Sequence, residues 1–416
     1  MSASKRRLLI IGAGIEQIYA YELAREMGLE VIGTDRNPDA PALAHADHVL
    51  IADTHDAEAS SAVALAFHRE RPIHGVMTIA HDVPYTVACV AQALGLPHIP
   101  IEAAALAIDK LAMKERFARD GVAIPRFREV KNSDELRQAI AEWGLPVVTK
   151  PVDSCGARGV MRVTSDIDPE EAFAVSLEHS KRGIVIVEEY VAGLQLSTEG
   201  LAWRGTTTTA SWSVRNYERL EEFAPYMIED GGVLPADLTP SEVQAVCELM
   251  DRAARSLGID NGPVKGDLVM TADGPVVIEL AARLSGGYLC THQIPYARGV
   301  NLVRQTILVA LGEDIDPADL VPEHRSYLGV RFFFPEPGIV ESIEGFDELE
   351  DEPWIMKRVM YVAPGDQIDP TTSHPTRAGF VFTVGETAEQ AEERARQCAQ
   401  RVQIRTRPVE TALKGI

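Results

Sequence analysis

Several things are scarce or missing in this chain, and each removes a class of function. Basic charge is scarce: 40 Lys and Arg stand against 62 Asp and Glu, a formal net charge of −22. Gripping a phosphate backbone takes clustered Lys and Arg, so no nucleic-acid partner is expected. Long apolar runs are missing, and nothing approaches the ~20 apolar residues of a membrane span. The N-terminal MSASKRRLLIIGAGI has a basic start, but its apolar run at residues 8–11 is short and a glycine turn ends it, unlike a signal peptide. The reading is a cytoplasmic chain with no membrane partner. Cysteine is sparse: Cys89, Cys155, Cys247, Cys290 and Cys398 are scattered, odd in number and without a CxxC pair. That excludes a disulfide framework or a zinc ribbon. The pattern GxxxxGK[ST] is absent, so there is no standard P-loop. The turn Gly12-x-Gly14 lacks the third glycine of a dinucleotide fingerprint, with Gln17 in its place.

What is present is the texture of a soluble multidomain protein, with 46% apolar and 25% charged residues in a chain of 416. Residues 6 to about 100 alternate short apolar strands with amphipathic helices. RLLIIGAG, LEVIGTD, VLIADT and GVMTIA are the strands, and helices such as IYAYELAREMG lie between them. Such repetition predicts an α/β domain with a parallel, doubly wound, Rossmann-like sheet whose ligands lie at the carboxyl ends of the strands. From Asp109 the texture changes to a charged helix, hairpin-like strands and loops rich in small residues. Residues 325–416 read as a closing α+β unit. His45-x-x-His48, followed by His55, reads as structural, since no recognisable ligand framework surrounds it.

The most informative stretch is VKGDLVMTADGPVVIELAARLSGG, residues 264–287. Both flanks alternate as strands do, and Ala272-Asp273-Gly274 suits a three-residue hairpin loop with Gly274 left-handed. In that register Asp267 sits directly opposite Glu279, whereas a two-residue turn would break the opposition. Like charges so paired lie roughly 5 Å apart at Cβ and are destabilising unless a cation lies between them. Magnesium, which takes one or two carboxylates plus phosphate oxygens, is the natural candidate. Period-2 geometry puts Lys265, Ala281 and Arg283 on the same face, and an arginine beside a metal suits phosphate or acyl phosphate.

Two earlier features join it. Lys150 closes an apolar strand before PVDSCGARG, where Ser154, Gly156 and Gly159 can turn backbone N–H groups toward phosphate. IVEEYVAG then puts Glu188 and Glu189 at a strand end, where backbone groups can hold an adenine.

Taken in order, Asp109-Lys110, Lys150 with its glycine loop, the Glu188-Glu189 hinge, and Asp267, Glu279 and Arg283 resemble the ATP-grasp superfamily of carboxylate–amine ligases. The likeness is greatest to its amino-acid ligases and carboxyaminoimidazole synthetases. The resemblance implies a pre-ATP-grasp domain at 1–108, a two-lobed ATP-grasp domain at 109–318 with its small lobe at about 120–192, and a C-terminal domain at 319–416 carrying SHPTRAGFVFTVGETAEQA. It further implies that Lys110 and Lys150 contact ATP phosphates, with Ser154, Gly156 and Gly159 closing over them. Glu188, Glu189 and Val191 would hold adenine and Gln195 the ribose. Asp267 and Glu279 would bind Mg²⁺, with Mn²⁺ as an alternative, and Arg283 would steady the acyl phosphate. Ser285, Gly286 and Gly287 would offer backbone donors. The expected partners are a small carboxylate and a small amine, and the expected assembly is a homodimer. Two positions depart from the family pattern: Gln195 replaces a glutamate, and Ala281 replaces an asparagine that would add a metal ligand. The implied activity is an ADP-forming ligase that works through an acyl phosphate. A bicarbonate-using carboxylase, an NAD-dependent oxidoreductase on the N-terminal domain, and a nucleotide-binding protein without catalysis stay open as alternatives.

Overall fold

The computed structural model describes residues 5–409. Two compact units are each assembled from separated stretches of chain. The first comprises Met1–Pro125, Ala192–Trp212 and Leu238–Arg325, and the second Arg126–Val191, Ser213–Asp237 and Ser326–Ile416.

The chain starts with β1 (Arg7–Ile11), α1 (Ile18–Glu26), β2 (Glu30–Asp35), β3 (His48–Ile51), α2 (Ala57–Glu70), β4 (Gly75–Met77) and α3 (Pro84–Ala93). The four strands pair in parallel in the order β3-β2-β1-β4. Four consecutive residues of β1, Leu8 to Ile11, are buried, as a parallel sheet covered on both faces requires. The chain moves outward from β1 to β3 and then returns to the other side of β1 as β4. The crevice between the carboxyl ends of β1 and β4 is therefore the topological switch point. After α4 (Ile101–Leu106), helix α5 (Lys110–Arg119) begins at Asp109, whose carboxylate caps the Leu111 and Ala112 N–H groups at 3.1 Å each. That cap fixes Lys110 at the first helical position.

In the second unit, β5 (Phe127–Val130), α6 (Ser133–Trp143), β6 (Val147–Pro151), β7 (Met161–Val163), α7 (Pro169–Glu178) and β8 (Val185–Glu189) make an antiparallel sheet, β5-β8-β6-β7, covered by its helices. β9 (Leu194–Trp203) lies in the first unit, while β10 (Thr206–Asn216) starts there and ends in the second, before β11 (Gly231–Leu234). Helix α8 (Pro240–Leu257) has full punctuation. Thr239 and Glu242 form a capping box, Pro240 opens the first turn, and Gly258 closes the last in the left-handed conformation at φ +81°.

β12 (Gly262–Thr271) pairs with β9 on one side and with β13 (Gly274–Ala281) on the other. Helices α9 (Ile294–Arg298) and α10 (Leu302–Ala310) complete the first unit. The second closes with β14 (Tyr327–Phe333), β15 (Gly338–Glu344), β16 (Ile355–Met360), β17 (Gln367–Ile368), β18 (Gly379–Gly385), α11 (Ala388–Arg401) and β19 (Gln403–Arg407). The fold is thus mixed α/β with an α+β C-terminal part, as the element pattern predicts. Among the described residues no helix is long and apolar enough to cross a membrane.

Candidate active site

Strand register makes the acidic pair of the first unit. Asp267 on β12 is the Cα partner of Glu279 on β13, although the connection is not the expected three-residue loop. Thr271 pairs with Gly274, which leaves a two-residue turn, Ala272-Asp273, with Gly274 at φ +114°. The Thr271 hydroxyl accepts from the Asp273 N–H at 3.1 Å and donates to the Gly274 carbonyl at 2.8 Å. Left alone, that turn would break the opposition. A β-bulge next to Asp267 and Leu268 puts one extra residue, Ile278, into β13 and restores it.

Cations already surround the pair. Lys110 Nζ reaches Glu279 Oε1 at 3.1 Å, and Lys265 Nζ reaches Asp267 Oδ2 at 2.5 Å. Beyond β13, Arg283 Nε donates to Asp82 Oδ1 at 2.6 Å. Burial works against the guanidinium charge, but Asp82, Glu199 and Glu279 outweigh it and hold the proton more tightly than usual. An isolated parallel bridge between Ile79 and Leu284, with the Ala80 N–H donating to the Leu284 carbonyl at 3.0 Å, ties this segment to the end of β4.

The turn after Arg283 is held by two acids that sequence reasoning missed. Glu199 Oε1 accepts from both the Ser285 N–H and the Ser285 hydroxyl. Glu16 Oε2 accepts from the Gly287 N–H at 2.8 Å, and a Cβ at Gly286 would come 2.6 Å from the same oxygen. Burial pushes both carboxyls up, Glu199 most completely since it is 0% exposed. In this structure the Ser285 and Gly287 donors thus serve internal carboxylates. The signal for Glu199 was available: an acid sits in the otherwise apolar and small run LSTEGLAW. Gln195 lies on the same strand, β9, in register with Val269, and Ser197 is in register with Asp267.

The second unit gathers the other candidates around β6 and β8. Lys150 Nζ meets Glu188 at 2.8 Å, and both side chains are buried. Glu189 is clamped by Arg126, whose Nε donates at 2.5 Å and whose backbone N–H donates at 3.1 Å. The Glu189 and Tyr190 N–H groups are engaged by the Arg126 and Pro146 carbonyls, just ahead of Val191. In the loop at residues 154–159, Gly156, Ala157 and Gly159 all have positive φ, at +66°, +60° and +71°. Residues in such conformations can present backbone N–H groups to an anion, as a phosphate cradle would, although the Arg158 N–H donates here to the Cys155 carbonyl at 3.4 Å. A Cβ at Gly159 would come 2.8 Å from the His179 side chain, so the glycine is needed there. The Gly156 carbonyl accepts from the His374 N–H at 3.0 Å, which braces the loop against the C-terminal segment.

The N-terminal glycine turn looks inward instead. Gln17 Oε1 accepts from the Gly14 N–H at 2.5 Å, and its Nε2 donates to the Ile11 and Ile79 carbonyls at 3.3 and 3.1 Å. The Ala13 N–H donates to Asp35 at 3.1 Å. Donors that a dinucleotide pyrophosphate would need are already in use, which weakens the oxidoreductase alternative.

Three family models match the chain: an ATP-grasp N-terminal domain over residues 21–98, an ATP-grasp domain over 107–287, and an L-amino acid ligase C-terminal domain 2 over 331–407. An uncharacterized protein of Sinorhizobium fredii is 26% identical over 324 residues, 77% of this chain and 66% of its own length. The chain thus spans just under two thirds of that relative. Dapdiamide A synthase of Enterobacter agglomerans is 27% identical over 326 residues, 71% of each chain. The crystal structure of L-amino acid ligase from Bacillus licheniformis superposes with a TM-score of 0.81 over 98% of this chain and 100% of that one, at 23% identity.

Proposed function

The chain belongs to the ATP-grasp superfamily, and from that premise we propose that it is an ADP-forming ligase joining a small carboxylate to a small amine through an acyl phosphate. The match to an L-amino acid ligase C-terminal domain supports an amino acid as at least one substrate. The observation that carries the reading is the opposed pair Asp267 and Glu279, flanked by Lys110, Lys265 and Arg283. Two facing carboxylates that hold lysine ammonium groups are poised to exchange them for a harder cation.

The donor set fits one Mg²⁺: two carboxylate oxygens, with Ala281 adding none and phosphate oxygens completing the shell. Mn²⁺, which takes the same oxygen ligands, would also fit. When bound, the metal would offset charge on the transferring phosphoryl group. Asp267 and Glu279 would hold it, and Lys110 and Lys265 would then be released toward phosphate. Lys150 and the cradle at residues 154–159 would take phosphate oxygens. Glu188, Glu189 and Val191 would serve the adenine and Gln195 the ribose. The substrate carboxylate would attack the γ-phosphorus, the bond to ADP would break, and Arg283 would hold the acyl phosphate. Ser285 and Gly286 would line the acyl group. Attack by the amine would then expel phosphate and leave an amide. Positioning and electrostatics would supply most of the acceleration, as in other phosphoryl transfers.

The test is ADP release coupled to NADH oxidation across a matrix of amino acids and simple amines. The expected result is release that needs both an acid and an amine. If no pairing in a broad matrix stimulates ADP release over ATP alone, the ligase reading fails.

A further inference from the structure

We propose that His81 is the general base that takes the proton from the attacking amine, a role that rests on the ligase reading above. His81 follows β4 at the switch point of the parallel sheet, where doubly wound folds bind small ligands. Its ring is packed against the end of β1, since a Cβ at Gly12 would come 2.9 Å from His81 Cδ2. Backbone strain marks the spot: Ala80, immediately before it, is a non-glycine residue at φ +54°. A conformation that costs of order 1–3 kcal/mol persists where the surroundings impose it, and it tends to mark functional sites. What imposes it here is the bridge from Ile79 and Ala80 to Leu284. That bridge, with Asp82 on Arg283, ties His81 to the segment assigned to the acyl phosphate.

The neighbouring groups are committed elsewhere. Asp82 is engaged by Arg283, Glu16 by the Gly287 N–H, Glu199 by Ser285, and Asp35 by the N–H groups of Ala13 and Asn37. His81 differs. Nε2 is 2.8 Å from the Thr54 hydroxyl, which fixes the ring, while Nδ1 makes no hydrogen bond to the described residues. The ring is half-buried and stands edge-on to His55 at 5.2 Å between centroids. Burial, followed by His55 and Arg283, favours the neutral imidazole over the opposing pull of Asp82 and Asp35. A neutral ring held in place by Thr54 is, in the tautomer whose Nε2–H donates to that hydroxyl, equipped to receive a proton on Nδ1 near neutral pH.

The step balances as follows. The amine lone pair forms the C–N bond, the C–O bond to phosphate breaks with its electron pair leaving on phosphate, and the nitrogen loses a proton. His81 Nδ1 accepts that proton and returns it to solvent.

The experiment compares wild type with H81Q using two nucleophiles, the amine substrate and hydroxylamine. Hydroxylamine is already unprotonated near neutral pH and needs little base assistance. H81Q is expected to keep hydroxamate formation within a few-fold of wild type, while amide formation falls by roughly 10²–10⁴. The acid limb of the wild-type kcat/KM profile for amine should also vanish. Equal loss with both nucleophiles, or no loss with either, overturns the role. If H81Q melts early, H81N and T54V carry the test; T54V keeps the base, and the expected result is a shifted acid limb with hydroxamate formation spared. An acid limb unmoved in T54V, together with an unimpaired H81N, overturns the role just as firmly. Wild type that forms no hydroxamate from any acid would instead sink the ligase reading, and this role with it.

Discussion

The two units each bring a lysine to a glutamate, and the two pairs differ in kind. In the second, Lys150 and Glu188 lie 2.8 Å apart with side chains 6% and 3% exposed, on adjacent strands β6 and β8 of a covered sheet. In the first, Lys110 and Glu279 lie 3.1 Å apart, and the acid is 32% exposed. Water competes for the Glu279 carboxylate of the Lys110 pair and hardly at all for the Lys150 pair. A sealed ion pair is part of the architecture, because removing one partner strands a charge. The Lys110 pair, with its lysine 10% and its acid 32% exposed, is partly open to water, so a ligand can replace a member at smaller cost than at Lys150. The same chemistry therefore does structural duty at Lys150 and stays exchangeable at Lys110.

The largest effect should come from a residue outside both pairs. R283A is expected to cost roughly 10³-fold or more in turnover, comparable to losing an arginine that stabilises phosphoryl transfer, measured as acid-dependent ADP release. K150M comes next and tests the buried pair directly. It should lose activity and also about 3–5 kcal/mol of stability in urea titration, because Glu188 is left without its cation. E279Q should lower activity by roughly 10²-fold, as removal of one well-placed electrostatic contact does, with a melting temperature near wild type. If E279Q destabilises the protein as much as K150M does, the contrast between the pairs collapses. Q195E should be the mildest change, tightening ATP binding a few-fold if Gln195 meets the ribose, since a carboxylate accepts a hydroxyl more strongly than an amide does.

A further comparison concerns pH. Glu199 has its carboxyl raised above the ordinary value of 4.5 by burial, against the two Ser285 hydrogen bonds. The folded state therefore binds this proton more tightly than the unfolded state. That contribution is complete below pH 4.5 and is lost as pH rises through the folded-state value. E199Q, which cannot ionise, should gain melting temperature on wild type as pH is raised from 5 to 8. A constant gap across that range would show that Glu199 titrates normally.

Much of this was legible in the sequence. The β1 run, the glycine turn, the hairpin and the order of lysines and acids follow from period and punctuation, and the three family matches fall along the same path. The hairpin shows the limit of such reading. Alternation in GPVVIELA gives no sign that Ile278 will be the extra residue, because a bulge costs little locally and is chosen by what the strand must meet. The opposition of Asp267 and Glu279 survived because the unexpected turn and the unexpected bulge compensate.

By itself the sequence determined which residues could do chemistry and on which strand or helix each would sit, since those are local properties of propensity and spacing. The tertiary structure alone decided the partners. Arg283 meets Asp82 across 201 residues, Ser285 meets Glu199 across 86, and Gly287 meets Glu16 across 271. Charges find partners by proximity in space and by burial that makes an unpaired charge costly. Neither quantity is written in the neighbourhood of any one residue.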